Sequence, residues 1–428
     1  MRLTRRDGVR AAAIVAVCAG LGGCFWPAPG AGPGRTASNV FESEITTATV
    51  ADLELLWTAT GDGGPMREAV TSVRAVHAYD ANGAYAFDTG TGGRLWSVPN
   101  PVEGIGTIGP VVADGEQVVL GYGFGNLGGA NWTTAILDAG TGASLGSSRG
   151  GLVDGLAGSV LLTHNWAFGS GTPVASFIAV TDAGSPATSW SGLISLGNGA
   201  VNARATLGES RVYLASGSVM TSPSIQGNAV HAYPVAGPPP TCPLPQPPPP
   251  VPDPTRFTCP LWSTPVDGSL ATPPVITGAP TETVVYTGTD AGTVYALDAA
   301  TGAVRWSVPV GSAVTDPPAL ADGSLYVPTT TGGLVVLDAA TGATRWTAPT
   351  NSPVTVQPAV AGGVVYVGQE SGKLWAFDAA GCGSATCTNP LWKVRTGAVI
   401  SGAPAVNQGR LYVGTADDRL LAFGLPAG

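Results

Sequence analysis

Charged residues are scarce in this 428-residue chain, and acidic residues outnumber basic ones. Only 11% of the residues are Asp, Glu, Lys or Arg, and the formal net charge at pH 7 is −9. Loss of the targeting segment Met1–Gly23 would remove four Arg and one Asp, which changes the net charge from −9 to −12. A Lys-poor, acidic chain lacks the basic surface that binds nucleic acid or docks on anionic lipid. We therefore expect no nucleic-acid partner.

The chain also lacks the residue patterns of the common hydrolases and nucleotide-binding enzymes. It has three histidines, of which His77 and His231 occur in the same strand-like AVHAY context. No HExxH, GxSxG or Walker sequence is present. A glycosidase or lyase with dispersed catalytic carboxylates stays open as an alternative, because sequence spacing does not reveal such carboxylates. We expect a non-catalytic protein, with a glycan-active enzyme as one alternative.

Cysteine is rare, and no two of the six cysteines are adjacent. Cys18 and Cys24 lie in or next to the targeting segment. The other four occur in two copies of one outer turn, each before a Leu-Trp pair: Cys242, Cys259, Cys382 and Cys387. An even count in an exported chain favours disulfides, and we predict the pairs Cys242–Cys259 and Cys382–Cys387. Metal binding is the alternative; it would need the two turns to meet or histidines nearby, and we expect no metal site.

No apolar run reaches the length of a membrane-spanning helix. The N-terminal segment has a basic start and a short apolar run, and it ends in Leu21-Gly22-Gly23-Cys24, which resembles the lipobox of bacterial lipoproteins. The resemblance implies cleavage before Cys24 and a lipid on that cysteine. We predict an exported, extracytoplasmic protein anchored by this lipid at the cell membrane or outer membrane. An ordinary signal peptide is the alternative, and twin-arginine or general export stays open.

The chain is rich in one repeated unit, which organises everything after the targeting segment. VYALDAATGAVRW at Val294–Trp306 recurs as VVLDAATGATRW at Val335–Trp346 and, changed, at Leu374–Trp392. The Asp bonds to backbone N–H groups of the turn, the Gly supplies positive φ, and the Trp brings apolar area with one N–H donor. Strands on the Asp side number eight, and so do strands on the Trp side, which gives eight units.

One unit reads as four short strands; in the copy from Pro318 they are PALAD, SLYVPTT, GLVVLDA and TRWTAP. Their connections are too short for helices, so the strands form an antiparallel meander, and apolar faces on both sides suit radial stacking. The chain starts with a Trp-side strand, Leu53–Ala59, and ends with an Asp-side strand, Leu420–Gly424. We predict an all-β fold: an eight-bladed β-propeller of four-stranded antiparallel blades, closed by the N-terminal strand pairing into the last blade.

Domain boundaries follow from the repeat. We assign residues 1–23 to a lipoprotein signal peptide, 24–45 to a flexible tether and lead-in, and 46–428 to the propeller. A Pro-rich insertion, residues 237–260, is predicted to be a stiff surface loop at an outer turn, with a polyproline ligand for a partner domain as the alternative.

Two local features are predicted within the propeller. A short helix is expected at roughly Ala48–Leu55, capped by Thr46 or Thr47. The Gly-rich stretch Gly121–Gly129 is expected to be a long loop. A functional interpretation of that loop would rest on Tyr122, Asn126 and Asn131, its side chains with polar chemistry.

The units, in outline LYV-x-TxxG-x-LYALDAATGxxRW, resemble the quinoprotein-type (PQQ-like) propeller repeat over nearly all of the mature chain. In the quinoprotein dehydrogenases of that family, an adjacent Cys-Cys pair lies above the quinone, a Trp lies beneath it, and Glu, Asn and Asp hold calcium. No residue here matches those motifs, so we expect neither PQQ nor calcium. A quinoprotein oxidoreductase remains an alternative function.

An eight-bladed propeller on a lipid tether is also similar in architecture to the propeller lipoprotein of the outer-membrane β-barrel assembly machinery. This resemblance implies a monomeric scaffold that contacts an envelope protein partner through blade loops. We expect that function: a non-catalytic, protein-binding lipoprotein of the cell envelope.

Ligands of propellers usually bind in the central funnel, near the start of each inner strand. Alignment of the units places five residues there: Gly109, Pro273, Asp316, Gln357 and Gly402. Asp316 and Gln357 are the candidates for polar groups that line the funnel, with ordinary turn residues as the alternative.

Overall fold

The computed structural model describes residues 35–426, apart from 73–74, 101–106, 114–115, 127–128, 150–151, 158–159, 170–171, 183–189, 196–203, 209, 217–227, 238–258, 271 and 278–282. Strands make up nearly all of the regular structure. The single helical segment in these ranges is a 3-10 turn, Val50–Asp52. No helix of the described part is long and apolar enough to cross a bilayer.

The described strands form eight sheets, which we number S1 to S8 in chain order. S1 contains β3 (Val70–Thr71), β4 (Ala75–Tyr79), β5 (Gly83–Asp88) and β6 (Arg94–Pro99). S2 contains β7 (Thr107–Ala113), β8 (Gln117–Asn126), β9 (Gly129–Asp138) and β10 (Ser144–Arg149). S3 contains β11 (Leu152–Ala157), β12 (Val160–Gly169), β13 (Thr172–Asp182) and β14 (Trp190–Ser195). S4 contains β15 (Arg204–Leu207), β16 (Arg211–Ser216), β17 (Ala229–Pro234) and β18 (Trp262–Pro265).

The second half of the chain is built in the same way. S5 contains β19 (Val275–Ile276), β20 (Val284–Gly288), β21 (Thr293–Asp298) and β22 (Val304–Pro309). S6 contains β23 (Ala319–Ala321), β24 (Ser324–Thr329), β25 (Gly333–Asp338) and β26 (Thr344–Ala348). S7 contains β27 (Ala359–Ala361), β28 (Val364–Gly368), β29 (Lys373–Asp378), β30 (Trp392–Arg395) and the early strand β1 (Ser38–Asn39). S8 contains β31 (Ala405–Asn407), β32 (Arg410–Gly414), β33 (Arg419–Gly424) and the early strand β2 (Glu54–Thr60).

Consecutive strands of every sheet pair antiparallel in chain order, so the predicted all-β fold of four-stranded meanders is confirmed. S7 differs from the prediction because β1 adds a fifth strand, parallel to β27. In S8 the fourth strand comes from the start of the described chain: β2 pairs antiparallel with β33, from Glu54 opposite Gly424 to Thr60 opposite Arg419.

Tryptophans of the fourth strands join one sheet to the next. The indole Nε1 of Trp306 in S5 donates to the Ala339 carbonyl in S6 at 3.1 Å, and Trp96 in S1 donates to Ala139 in S2 at 2.9 Å. The glycine of the turn lies beneath the ring. Gly342 has φ +74°, and a Cβ there would lie 2.8 Å from Trp306. A side chain at this glycine would therefore break the contact between sheets.

Tyrosines of the second strands pack between neighbouring sheets. Five of them are buried at equivalent positions: Tyr213, Tyr286, Tyr326, Tyr366 and Tyr412. The hydroxyls of Tyr286 and Tyr326 each donate to a carbonyl of the next sheet at 3.0 Å. His77 takes the equivalent place in S1, where it is fully buried and bonded through Nε2 to the Ser72 hydroxyl at 2.9 Å.

Two local predictions are wrong. The stretch Gly121–Gly129 is mostly strand, because β8 and β9 pair along their whole length with Gly123 opposite Trp132. Glycine alternates with larger residues from 121 to 126, a period of two that a strand accommodates. The helix expected at Ala48–Leu55 is reduced to the 3-10 turn, because the residues from Glu54 onward are taken into pairing with β33.

Candidate functional site

The first strands of the sheets lie on the inside of the assembly. Contacts between successive sheets join first strand to first strand, as in β7 with β11, β11 with β15, β23 with β27 and β27 with β31. The fourth strands carry the exposed residues at the outer rim, for example in β6 and β22. We refer to the space beside these first strands as the central channel.

The lead-in, residues 35–45, runs through this channel along three successive sheets. The Leu320 amide of S6 donates to the Thr36 carbonyl at 2.7 Å. β1 then pairs with β27 of S7, and the Asn39 side-chain amide donates to the Val406 carbonyl of S8 at 2.9 Å. Ala37 is 1% exposed and Asn39 is 6% exposed. The channel beside S6–S8 is therefore filled by the protein's own chain.

Parallel pairing of β1 with β27 fixes the direction of the lead-in. It enters at the end of the channel that carries the connections between sheets and the hairpins joining second to third strands, which we name the connection face. It leaves at the other end, the Asp-turn face, where third strands turn into fourth strands. There the Glu42 carboxylate accepts the amide of Gly409, in the β31–β32 turn, at 3.1 Å.

Gln357 holds the lead-in at the connection face. Its side chain is 6% exposed, and its Nε2 donates to the carbonyls of Arg35 at 3.0 Å and Pro318 at 2.9 Å. Both N–H donors of this amide are therefore used on backbone of the chain itself. The role of Gln357 as a polar group lining the funnel stays a prediction, and the contacts of its side chain described here are structural.

Asp316 lies at the same end of the channel, and the pKa of its carboxyl group is raised. It is partly buried and accepts a hydrogen bond from the Thr315 hydroxyl at 3.1 Å. Burial raises the pKa of Asp316 to about 6, and the negative charge of Glu68 adds to the rise. Glu68 belongs to the connection that precedes β3, and it accepts a bond from the Tyr79 hydroxyl at 3.1 Å. The charge of Glu68, just before S1, thus acts on Asp316, just before S6.

The sequence alignment that made Asp316 and Gln357 equivalent is wrong by one residue. Ala319 lies opposite Tyr326 and Ala359 lies opposite Tyr366, so Asp316 corresponds to Val356. Gln357 corresponds instead to Glu68, because each lies two residues before its first strand. Sequence analysis missed Glu68; counting back from the strand would have found it.

A second pair of carboxylates joins S8 to S1. Asp80 accepts the Tyr85 hydroxyl at 2.9 Å, and Asp418 accepts the Gly61 amide at 3.2 Å. A Cβ on Gly61 would lie 2.5 Å from Asp80 Oδ2 and 2.6 Å from Asp418 Oδ1. Burial raises the pKa of Asp418, and the negative charge of Asp80 adds to the rise. Sequence spacing did not reveal this pair, because the two residues are more than 300 positions apart.

The predicted Cys382–Cys387 disulfide is present, with 5.7 Å between its Cα atoms. Its loop crosses to S6: the Thr347 amide of β26 donates to the Ala385 carbonyl at 2.9 Å, and the Cys387 amide donates to the Thr347 carbonyl at 2.7 Å. The loop thus covers part of the outer edge of β26. A shallow cavity of about 310 Å³ beside the disulfide is lined in part by Phe377, Asn389 and Leu391.

The other predicted cysteine sites fall mainly outside the described residues. Cys259 is disulfide-bonded, but Cys242, its predicted partner, lies outside them. Cys24, the predicted lipid site, and most of the Pro-rich insertion lie outside them as well. These assignments stay predictions.

The described residues do not fit a quinone and calcium site. Within them, no group of three or more His, Cys, Asp or Glu side chains could hold a metal ion. The described cysteine pair lies at an outer turn, away from the channel. In the channel, the sector beside S6–S8 is occupied by Arg35–Asn39, and the Gln357 donors are used on backbone. No residue is assigned to either group.

Comparison with known proteins supports the fold. Residues 260–383, less than a third of the chain, match the PQQ-type family model described as outer membrane protein assembly factor BamB. No curated protein matches the sequence significantly. The predicted resemblance to PQQ-like propeller proteins, BamB among them, is confirmed.

Solved structures that resemble the chain belong to several kinds of protein. A quinohemoprotein alcohol dehydrogenase from Pseudomonas putida HK5 has a TM-score of 0.70 at 13% identity, covering 97% of this chain and 82% of that one. A europium-containing methanol dehydrogenase has a TM-score of 0.67 at 15% identity, covering 94% and 98%. BamB from Moraxella catarrhalis has a TM-score of 0.55 at 15% identity, covering 87% and 99%. At such identities the likeness concerns the fold alone.

Proposed function

We propose that this protein is a non-catalytic scaffold of the cell envelope. It is exported, anchored by a lipid on Cys24, and monomeric, and it binds an envelope protein through the loops of a propeller. S1 to S8 are the eight blades of that propeller, and β2 closes the ring. BamB, an outer membrane protein assembly factor, supplies the functional parallel for this proposal.

Contacts that join S7 to S8, and S8 to S1, support the closed ring. Trp392 of S7 donates through Nε1 to the Leu53 carbonyl beside β2 at 3.1 Å. Trp57 of β2 donates to the Thr89 carbonyl of S1 at 3.0 Å. The same indole-to-carbonyl bond joins S5 to S6, so the junction of S8 with S1 repeats the ordinary contact between neighbouring sheets.

The scaffold function rests chiefly on the lead-in occupying the sector of the channel beside S6–S8. The inner space of a propeller is the usual place for a ligand. Here Ala37 and Asn39 are buried against the first strands, and Gln357 is bonded to the lead-in backbone. Surface loops are then the part of the molecule that remains available for recognition.

The alternative of a glycan-active enzyme draws on the Asp80–Asp418 pair. Asp418 has a raised pKa, as a general acid requires. Both carboxylates are engaged by the chain itself: Asp80 accepts the Tyr85 hydroxyl at 2.9 Å, and Asp418 accepts the Gly61 amide at 3.2 Å. The pair therefore suits a structural contact between S8 and S1 better than catalysis.

The scaffold is tested by photo-crosslinking in the native envelope. A photoreactive residue is placed at exposed loop positions such as Phe41, Ala300 and Glu370, and at buried Ala296 as a control. The scaffold predicts one discrete envelope-protein adduct from one face and none from the buried site. The quinoprotein alternative predicts no adduct from any loop, together with dye-linked alcohol oxidation after addition of PQQ and calcium.

A further inference from the structure

The course of the lead-in determines where the chain before residue 35 must leave the propeller. Arg35 is bonded to Gln357 at the connection face, and the chain then runs inward along β27 to Asn39. Val40 and Phe41 follow at the opposite end and are 72% and 42% exposed. The segment before Arg35 therefore starts at the axis of the connection face and not at the rim.

We propose that the connection face is turned toward the membrane and the Asp-turn face away from it. This inference rests on the proposed lipid anchor at Cys24. The surface that faces the bilayer is thus the one that carries Glu68, Asp316 and Gln357. The surface presented to the rest of the envelope carries the Asp turns and, at its centre, the exposed pair Val40–Phe41.

The length of chain before the described residues supplies the physical argument. Ten residues lie between Cys24 and Arg35, and the eleven steps from Cα to Cα span about 40 Å at most, at about 3.6 Å per step. To turn the Asp-turn face toward the bilayer, this segment would first cross the radius of a blade, about 20 Å for four strands. It would then descend the height of a sheet, about 30 Å for the nine residues from Ala291 to Ala300. The path of about 50 Å exceeds the available length.

Matched pairs of labels on the two faces test this orientation. Ala291 and Ala300 are both exposed and lie at opposite ends of β21; Ser371 and Ala380 do the same for β29. Each is replaced by Cys in the lipidated full-length chain and labelled with a fluorophore under non-reducing conditions. The protein is placed on vesicles of phosphatidylethanolamine and phosphatidylglycerol that carry an acceptor lipid, and energy transfer is measured.

We expect stronger transfer from Ala291→Cys and Ser371→Cys than from Ala300→Cys and Ala380→Cys, by at least twofold. Equal transfer from both faces, or stronger transfer from the Asp-turn face, would overturn the proposal. Insertion of 20 Gly and Ser residues before residue 35 should abolish the difference, because the tether could then reach around the rim.

A second tether separates failure of the orientation from failure of the lipid anchor. The Cys24→Ser chain is held on nickel-chelating lipid by a histidine tag after residue 428. Because β33 runs toward the Asp-turn face, this tether should reverse the transfer ratio. Mass spectrometry of the N-terminal peptide reports the lipid directly. An unmodified Cys24 refutes the anchor and the orientation together, whereas a lipidated chain without the transfer difference refutes the orientation alone.

Discussion

S5–S8 and S2–S3 are all built on four antiparallel strands, but they differ in how regular their strands and their sequence repeat are. In S5–S8 no strand exceeds seven residues, and the sequence repeat is nearly intact. In S2–S3 the second and third strands reach ten or eleven residues, and Gly146 stands where S5 and S6 have a Trp. The lead-in packs on S6–S8, within the regular part. The lead-in therefore packs on regular sheets, whereas S2 and S3 differ from those sheets mainly in the length of their second and third strands.

The Asp turn is the element that both regions keep. In S6, Asp338 Oδ1 accepts the Thr341 amide and hydroxyl at 2.9 Å, and in S2 Asp138 Oδ1 accepts the same two groups of Thr141 at 2.8 Å. Hydrogen bonding to Arg345 lowers the pKa of Asp338 to about 2. The turn thus survives where the Trp is lost, which shows that hairpin chemistry and packing between sheets vary independently.

The largest effect is expected from the turn glycine of the regular part. Gly342→Ala forces a side chain into positive φ and against Trp306, and should cost about 3 kcal/mol in unfolding free energy. Gly146→Ala is the control in S2: it lies in a fourth strand, at the position where S6 has Trp346, nothing lies within 4 Å of the added Cβ, and it should cost nothing. Denaturant unfolding of both variants measures the difference. Equal losses would show that the packing of the turn glycine against Trp306 carries no special cost.

His77, which replaces the repeat Tyr in S1, should make the fold sensitive to acid. Burial lowers the pKa of His77 to about 3 from 6.5, so the folded protein holds it neutral. Stability is then complete above pH 6.5 and falls toward pH 3, by about 1 kcal/mol per pH unit. His77→Tyr should flatten this decline, apart from the share of His231, whose pKa is lowered to about 4. An unchanged acid limb in thermal unfolding would contradict the assignment.

The disulfide loop on the edge of β26 is expected to contribute less. The loop it closes is short, so replacing Cys382 and Cys387 by Ser should cost about 2 kcal/mol. Because the loop bonds to Thr347, amide exchange in β26 should rise as well. The same measurement in β22, which this loop does not touch, is the control. Equal exchange in both strands would show that the loop does not protect the edge.

The smallest effect is expected at Asp316. Its folded pKa of about 6 lies above the ordinary 3.8, so the folded state is penalised above pH 6 and not below 3.8. Asp316→Asn should therefore stabilise the protein by about 1 kcal/mol at pH 7.5 and leave it unchanged at pH 3.5. Glu370→Gln, an exposed change on the same face, should alter neither value. A loss of stability at pH 7.5 would mean that the carboxylate has a favourable partner.

The sequence predicted the features that repeat along the chain and those that involve residues close together in it. The unit at Val294–Trp306 predicted the four-stranded sheets, and the spacing of Cys382 and Cys387 predicted their disulfide. It failed where contacts join distant residues. Asp80 meets Asp418, and Gln357 meets Arg35, across more than 300 residues, and no local period encodes such a contact. A one-residue slip in alignment likewise hid Glu68, because the connections between sheets vary while the strands repeat.

Native mass spectrometry of the full chain, mixed with pyrroloquinoline quinone and calcium, distinguishes a scaffold from a quinoprotein most directly. If the lead-in fills the channel as the bonds of Arg35 and Asn39 indicate, the mass should stay that of the free chain and no quinone absorbance should accompany it. A gain of one quinone and one calcium, with the matching absorbance band, would contradict the scaffold and make this propeller a cofactor-binding enzyme.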